Sequence, residues 1–259
     1  MKIKLPVFLL SCVLCSMSAF AQEAKIRDAR SNPDFYFLEI GDVPNSLHLL
    51  PPPPEVGSVV FLNDKAQYDW GKLMRRTARG EQAVRDAQLA GDAVPLNFSE
   101  AFGIKISKET TPEIYNLVLR MRGDAGDLAT RHAKEHYMRV RPFSMYGESS
   151  CTPDQEEYLL KDGSYPSGHT AIGWATALVL AEINPSRQNE ILKRGYEMGQ
   201  SRVICGCHYQ SDVDAGRIVA SAVVARLHAD TAFMKQLNKA KKEFNQLQKA
   251  GAVKNQSEK

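Results

Sequence analysis

The sequence predicts an all-α fold, and three observations carry that prediction. Apolar residues recur at helical spacing, as in Ile114, Leu117, Val118 and Met121, so such a segment buries one face. Helix starts are spelled out in hydroxyl, proline and acidic residues, most clearly at Thr110-Thr111-Pro112-Glu113. Two long apolar runs, Ala171 to Ile183 and Val213 to Leu227, follow turn formers and are long enough to be buried helices.

Taken in order, the chain opens on Lys2 and Lys4, an apolar stretch from Leu5 to Leu14, and Ser18-Ala19-Phe20-Ala21. These have the form of a cleaved secretory signal over residues 1–21, with a mature chain from Gln22. A membrane anchor would need about 18 or more apolar residues, and lipid attachment at Cys12 would leave an unusually short apolar run. From residue 22 to about 60, aromatics and turn formers surround Pro51 to Pro54, an extended polyproline strut. A helix capped at Asn63-Asp64 runs through Tyr68, Leu73 and Met74 towards Leu89, interrupted near Gly71 and Gly80. Its Arg75, Arg76, Arg79 and Arg85 read as a solvated face, and residues 91–110 read as a loop. The helix that starts at Pro112 gives way at Gly123 and Gly126 to another, from Asp127 to about Val140. Residues 143–162 read as a loop or short helix. Asn184-Pro185-Ser186 separates the Ala171–Ile183 helix from one over Arg187 to about Val203, an amphipathic helix begins at Thr231, and residues from about 250 to 259 form a polar, disordered tail.

With 259 residues and 43% hydrophobic content the chain can bury a full core, as one large domain or two small ones. The signal removes two lysines and no acid, so a chain of 33 basic and 30 acidic residues is left with a balance of about +1. That excludes an overall electrostatic nucleic-acid binder, and any phosphate affinity must come from a local cluster. Three cysteines survive processing, and export favours one disulfide and one thiol. Cys205 and Cys207 are too close to join without a strained ring, whereas Cys151 closes a loop of about 54 residues; the expected bond is Cys151–Cys205, with Cys207 reduced. Cys205-Gly206-Cys207-His208 has one residue too few between its cysteines for haem attachment and no fourth ligand at zinc spacing.

The chemistry gathers around Gly163-Ser164-Tyr165-Pro166-Ser167-Gly168-His169-Thr170, a loop feeding a helix N-terminus. The first N–H groups of a helix lack internal partners and sit at the positive end of its dipole, so Ser167, Gly168 and His169 form a ready anion site. Lys134 and Arg141 lie seven residues apart, which two helical turns bring to within about 20° of one azimuth, so both cations can reach one point. Pro142 disfavours helix at Arg141 and frees its fork for an oxyanion. His208 and Asp212 stand at i and i+4 at the start of the Val213–Leu227 helix, where the carboxylate can hold the imidazole. Arg202 supplies a third cation.

The order of these residues is specific. Lys134, then Arg141-Pro142, then Pro166-Ser167-Gly168-His169, then Ser201-Arg202, His208 and Asp212 resembles the three-part signature of the acid phosphatases related to vanadium haloperoxidases and type 2 phosphatidic acid phosphatases. The wider text, from Leu50-Pro51-Pro52-Pro53-Pro54 to Ser211-Asp212-Val213-Asp214, is similar to class A bacterial nonspecific acid phosphatases over nearly the whole mature chain. The resemblance implies a single all-helical domain over residues 22–259, periplasmic export, no metal or cofactor, a homo-oligomer, and small phosphate esters as substrates. It also implies roles: His208 as nucleophile, Asp212 as its orienter, His169 as the acid for the leaving group, and Lys134, Arg141, Ser167, Gly168 and Arg202 as the phosphate cradle. Three alternatives remain open at this point: an apyrase-like nucleotide hydrolase, a vanadate-dependent haloperoxidase, and a phosphate-binding protein without turnover.

Overall fold

The computed structural model describes residues 35–253, and in those residues all regular structure is helical. The long helices are α1 (Val59–Met74), α2 (Ala78–Asp86), α3 (Ala93–Phe102), α4 (Pro112–Gly123), α5 (Ala129–Tyr137), α6 (Gly168–Ile183), α7 (Gln188–Ile204), α8 (Gln210–Leu227) and α9 (Thr231–Lys249). Residues 1–34 and 254–259, which hold the expected signal and most of the expected tail, lie outside the described part.

The centre of the fold is α6. It is apolar nearly all round, which demands burial on every side, and it packs chiefly on α7 and α8, with α4 and α3 at its flanks. Thr170, Ala171, Gly173, Ala175, Thr176 and Ala177 keep it slim enough for close contact. A Cβ on Gly195 of α7 would sit 2.4 Å from Cβ of Ala177, so only glycine allows that helix to approach. α9 closes the far side against α4, placing Phe233, Leu237 and Phe244 on the same core. A second, smaller core gathers Ala83, Phe143, Leu159, Ile204, Cys205 and Cys207, and there the Cys151–Cys205 disulfide fastens the 138–163 segment to the end of α7.

Several boundaries differ from the sequence reading. The 91–110 stretch contains α3, whose Val94, Phe98 and Phe102 are fully buried at i, i+4 and i+8; Pro95 stands in its first turn, where a missing N–H costs nothing. The first helix starts one turn earlier, capped by Ser58, and breaks at residues 75–77 rather than at Gly71. Arg75 and Arg79 are not a solvated face: they donate to Ile204 O, Ser149 O, Glu197 O and Ser201 Oγ, clamping α1 and α2 to α7 and its neighbours. Between Gly123 and Ala129 the chain does not break but passes through one π-helical turn, Asp124–Leu128, that joins α4 to α5. Finally, α5 ends at Tyr137, where Met138 turns left-handed with φ 39°.

Candidate active site

Each polar group at the N-terminal end of α6 has an assigned place. Ser167 is the N-cap: its Oγ accepts from Thr170 N and Thr170 Oγ1, leaving its own hydroxyl hydrogen free to donate. Its backbone N–H is committed to Asp212 O at 3.0 Å, so the donors left open at this terminus are the Gly168 and His169 N–H groups. Gly168 is glycine for a packing reason, because a Cβ there would lie 2.8 Å from the Gly126 carbonyl oxygen. The π turn thus sets the position of the α6 terminus.

His169 projects from the first turn of α6, and its Nε2 lies 3.0 Å from Ala87 O. A carbonyl only accepts, so Nε2 carries a hydrogen and Nδ1 is the atom left for proton exchange. Burial first, then the Arg202 charge, push His169 well below the ordinary histidine range.

Arg202, on the last turn of α7, has no exposed surface, and its Nε, Nη1 and Nη2 have no hydrogen-bond partner. A buried guanidinium with all three nitrogens unsatisfied costs several kcal/mol unless an anion fills its fork. Beyond it the chain reverses tightly through Gly206 at φ 74°, and both Cys207 N and His208 N donate to Arg202 O. The turn therefore places His208 beside Arg202, before α8 begins rather than on it as the sequence reading had it.

His208 is 2% exposed. Its Nδ1 lies 3.3 Å from Ser164 Oγ and 3.5 Å from Asp212 Oδ2, and its Nε2 faces Arg141 Nη1 at 3.0 Å. A hydrogen on Nδ1, facing these oxygens, leaves the Nε2 lone pair for an electrophile. Burial, with Arg141, Lys134 and Arg202 nearby, pushes the imidazole well below its ordinary range and keeps it neutral and nucleophilic. Asp212 occupies the third position of α8 and accepts from Tyr209 N at 2.8 Å, which caps the helix and fixes the carboxylate at once.

Lys134 and Arg141 do meet, but not as one helical stripe. After the reversal at Met138, Arg141 is extended at the cap of a short helix, Pro142–Met145, and the two cations converge on the 162–163 turn. Arg141 donates to Leu159 O at 2.8 Å and Cys207 O at 3.1 Å; Lys134 Nζ donates to Gly163 O and, at 2.9 Å, to Asp162 Oδ2. Burial lowers Lys134 to about 8 despite the Asp162 carboxylate.

The sequence reading missed a second layer. Arg139 bridges two wholly buried carboxylates, Asp212 at 2.5 Å and Asp64 at 2.9 Å, and lies over the Tyr209 ring at 4.1 Å. Asp64, taken as a helix cap, instead holds Ser211 N and Ser211 Oγ. Ser164 donates to Asp212 Oδ2 at 2.5 Å. The one available signal was the charge of Arg139 two residues before Arg141, and it did not reveal a partner 75 residues away.

A helical fold that gathers three cations, open helix-terminal N–H groups and a carboxylate-held neutral imidazole defines a site for a tetrahedral oxyanion open to nucleophilic attack. Comparison agrees with that class: residues 118–235 match the PAP2 superfamily. A non-specific acid phosphatase of Providencia stuartii is 59% identical over 90% of this chain and 94% of its own. One of Salmonella typhimurium is 45% identical over 78% and 80%, and an acid phosphatase of Zymomonas mobilis 35% identical over 93% and 91%. The chain belongs to the PAP2 superfamily and, within it, to the bacterial non-specific acid phosphatases of class A. It is an acid phosphatase.

Proposed function

We propose that the protein is an exported, metal-independent acid phosphatase that hydrolyses phosphomonoesters through a phosphohistidine on His208. The observation that carries this reading is the fully buried, wholly unpartnered guanidinium of Arg202, adjacent in the turn to a neutral imidazole. A phosphoryl group supplies the missing acceptors. Its equatorial oxygens take Arg202, Lys134, Arg141, the Ser167 hydroxyl and the Gly168 and His169 N–H groups.

His208 Nε2 attacks phosphorus, the bond to the ester oxygen breaks, and His169 Nδ1 delivers a proton to the departing alkoxide. Burial and the Arg202 charge hold His169 unprotonated; the bound phosphoryl dianion offsets the second of these, and acid solution supplies the proton. In the second half His169, now neutral, takes a proton from water as the water oxygen attacks the phosphohistidine, and phosphate leaves. Asp212 holds the Nδ1 hydrogen of His208 throughout and stabilises the cationic ring.

Metal independence is supported by the charge of the pocket, which offers cations rather than carboxylates to the phosphate. Export is supported by the leader over residues 1–21 and by the Cys151–Cys205 bond, which persists in an oxidising compartment. In the described residues no helix is long and apolar enough to cross a membrane. The test measures phosphate release from an alkyl phosphate, p-nitrophenyl phosphate, ATP and pyrophosphate, with and without EDTA. Monoester turnover unaffected by EDTA is expected. His169→Ala should lower kcat/KM for the alkyl ester far more than for p-nitrophenyl phosphate, whose phenolate leaves unaided, because kcat/KM reports formation of the phosphohistidine and not its hydrolysis. Loss of activity on chelation, restored by a divalent ion, contradicts the proposal, as does an equal fall in kcat/KM for both esters.

A further inference from the structure

The two cationic corners of the pocket stand in different states. Arg202 has no partner, whereas Lys134 and Arg141 share one carboxylate. Asp162 Oδ2 lies 2.9 Å from Lys134 Nζ and 3.5 Å from Arg141 Nη2, and no other carboxylate among the described residues is within ion-pair distance of either. Lys134 and Arg141 are 7% and 3% exposed. The Asp162 side chain is 44% exposed, on a bend between the Glu156–Leu159 helix and the loop that begins at Gly163, so it has water to move into while the cations do not.

We infer that Asp162 is an internal competitor of phosphate. Its carboxylate neutralises the Lys134–Arg141 corner when the pocket is empty and must give way when the phosphoryl group enters. It returns as product leaves. Two anions cannot share one pair of cations at these distances without strong repulsion. A phosphoryl oxygen and the Asp162 carboxylate would seek the same Nζ and Nη2 donors, while the carbonyls of Gly163, Leu159 and Cys207 keep both side chains in place whichever anion is present. The carboxylate therefore weakens the hold on inorganic phosphate and hastens its departure. This inference rests on the reading that Lys134 and Arg141 bind the phosphoryl group.

The opposite role, in which Asp162 merely holds Lys134 in position, predicts the opposite sign, and steady-state kinetics on the mature protein separate the two. With p-nitrophenyl phosphate as substrate and inorganic phosphate as competitive inhibitor, Asp162→Asn should lower the phosphate inhibition constant about tenfold, like charge being removed from beside the ligand. KM should fall with it, and kcat should stay level or drop as release slows. Asp162→Ser, which removes the charge with a smaller side chain, should do the same and covers the case in which the asparagine variant is unstable. Lys134→Gln should raise the constant, and in its background Asp162→Asn should lower it much less. An inhibition constant unchanged or raised in both Asp162 variants overturns the inference while leaving the pocket reading intact. No effect of Lys134→Gln on phosphate affinity overturns both.

Discussion

The pocket has two halves, and they are made differently. One half, Gly168 to His169 with Arg202 and Asp212, hangs on the ends of α6, α7 and α8, three long helices locked together by small residues. The other joins Lys134, in the last turns of α5, to Arg141 on the chain between Met138 and Gly163, where short helical turns are fastened by a disulfide and by carbonyl hydrogen bonds. In the first half the cation waits unpartnered; in the second both cations are already engaged. A rigid frame can hold an unsatisfied charge ready for a ligand, since the strain is spread over the helix interfaces, whereas an irregular segment satisfies its charges locally and exchanges partners when the ligand arrives.

The largest effect separates the halves by stability as well as activity. Arg202→Met should lower kcat/KM by about 10³ or more, since a donor pair to the transition state is lost. The ligand-free protein should nonetheless lose no stability and gain about 1 kcal/mol in urea unfolding, because an unpaired buried ion becomes apolar volume. Arg141→Met should lose activity and stability together, its carbonyl partners at Leu159 and Cys207 being left bare. Equal destabilisation by the two substitutions would erase the distinction drawn here.

Next comes the layer behind His208. Removing the bridging cation with Arg139→Gln leaves Asp64 and Asp212 buried without their ion pair and should cost about 3 kcal/mol of stability. In the folded fraction, kcat should fall by about 10² with KM nearly unchanged, and Arg139→Lys should recover part of it. A rise in KM alone would mean that Arg139 serves the fold and not the orientation of Asp212.

The third expected effect is a pH dependence in the second half. Unliganded Lys134, lowered to about 8 by burial, carries its charge below that pH and loses it above. Inhibition by phosphate should therefore weaken up to about tenfold per pH unit above 8, and Lys134→Arg should move that limb to higher pH. A phosphate affinity flat between pH 7 and 9 would contradict it.

The smallest effect lies away from the pocket, at Asp124 in the π turn. Burial pushes this carboxyl up to about 7 against the pull of the Leu38 and Phe37 N–H groups and of Arg120. The folded state then binds the proton more tightly than the unfolded one. Its contribution is complete below the unfolded carboxyl range and is lost as pH rises through about 7. The melting temperature of the wild type relative to that of Asp124→Asn, which cannot titrate there, should fall by a few degrees from pH 4 to 7. Parallel curves would show that Asp124 is not the group responsible.

What could be read from the sequence follows the same division. The helices that present apolar stripes, such as Ile114 to Met121 and Thr231 to Leu247, were legible because burial writes itself into spacing. The signature residues were legible as types in order, and the structure brings all of them to one place. Their geometry was not. The single stripe drawn through Lys134 and Arg141 fails because Met138 turns the chain, and no residue before it announces the stop. Arg139, Asp64 and Ser164 went unread because a buried charge is explained only by its partner, and here partners come from α1, the loop before α6 and α8 together. α3 was hidden by Pro95, a breaker in a helix interior and harmless in a first turn.

The central claim, that His208 Nε2 attacks a phosphoryl group held by both halves, is tested most directly by trapping the intermediate. Mixing the enzyme with a fast phosphomonoester, quenching at alkaline pH within milliseconds and mapping peptides should show one phosphoryl group on His208, stable to base and lost in acid. The label should be absent in His208→Ala and should accumulate in His169→Ala with p-nitrophenyl phosphate, because the water that cleaves it then lacks its base. Phosphate found on Ser164, Ser167 or any other residue, or no covalent label during full turnover, would contradict the account.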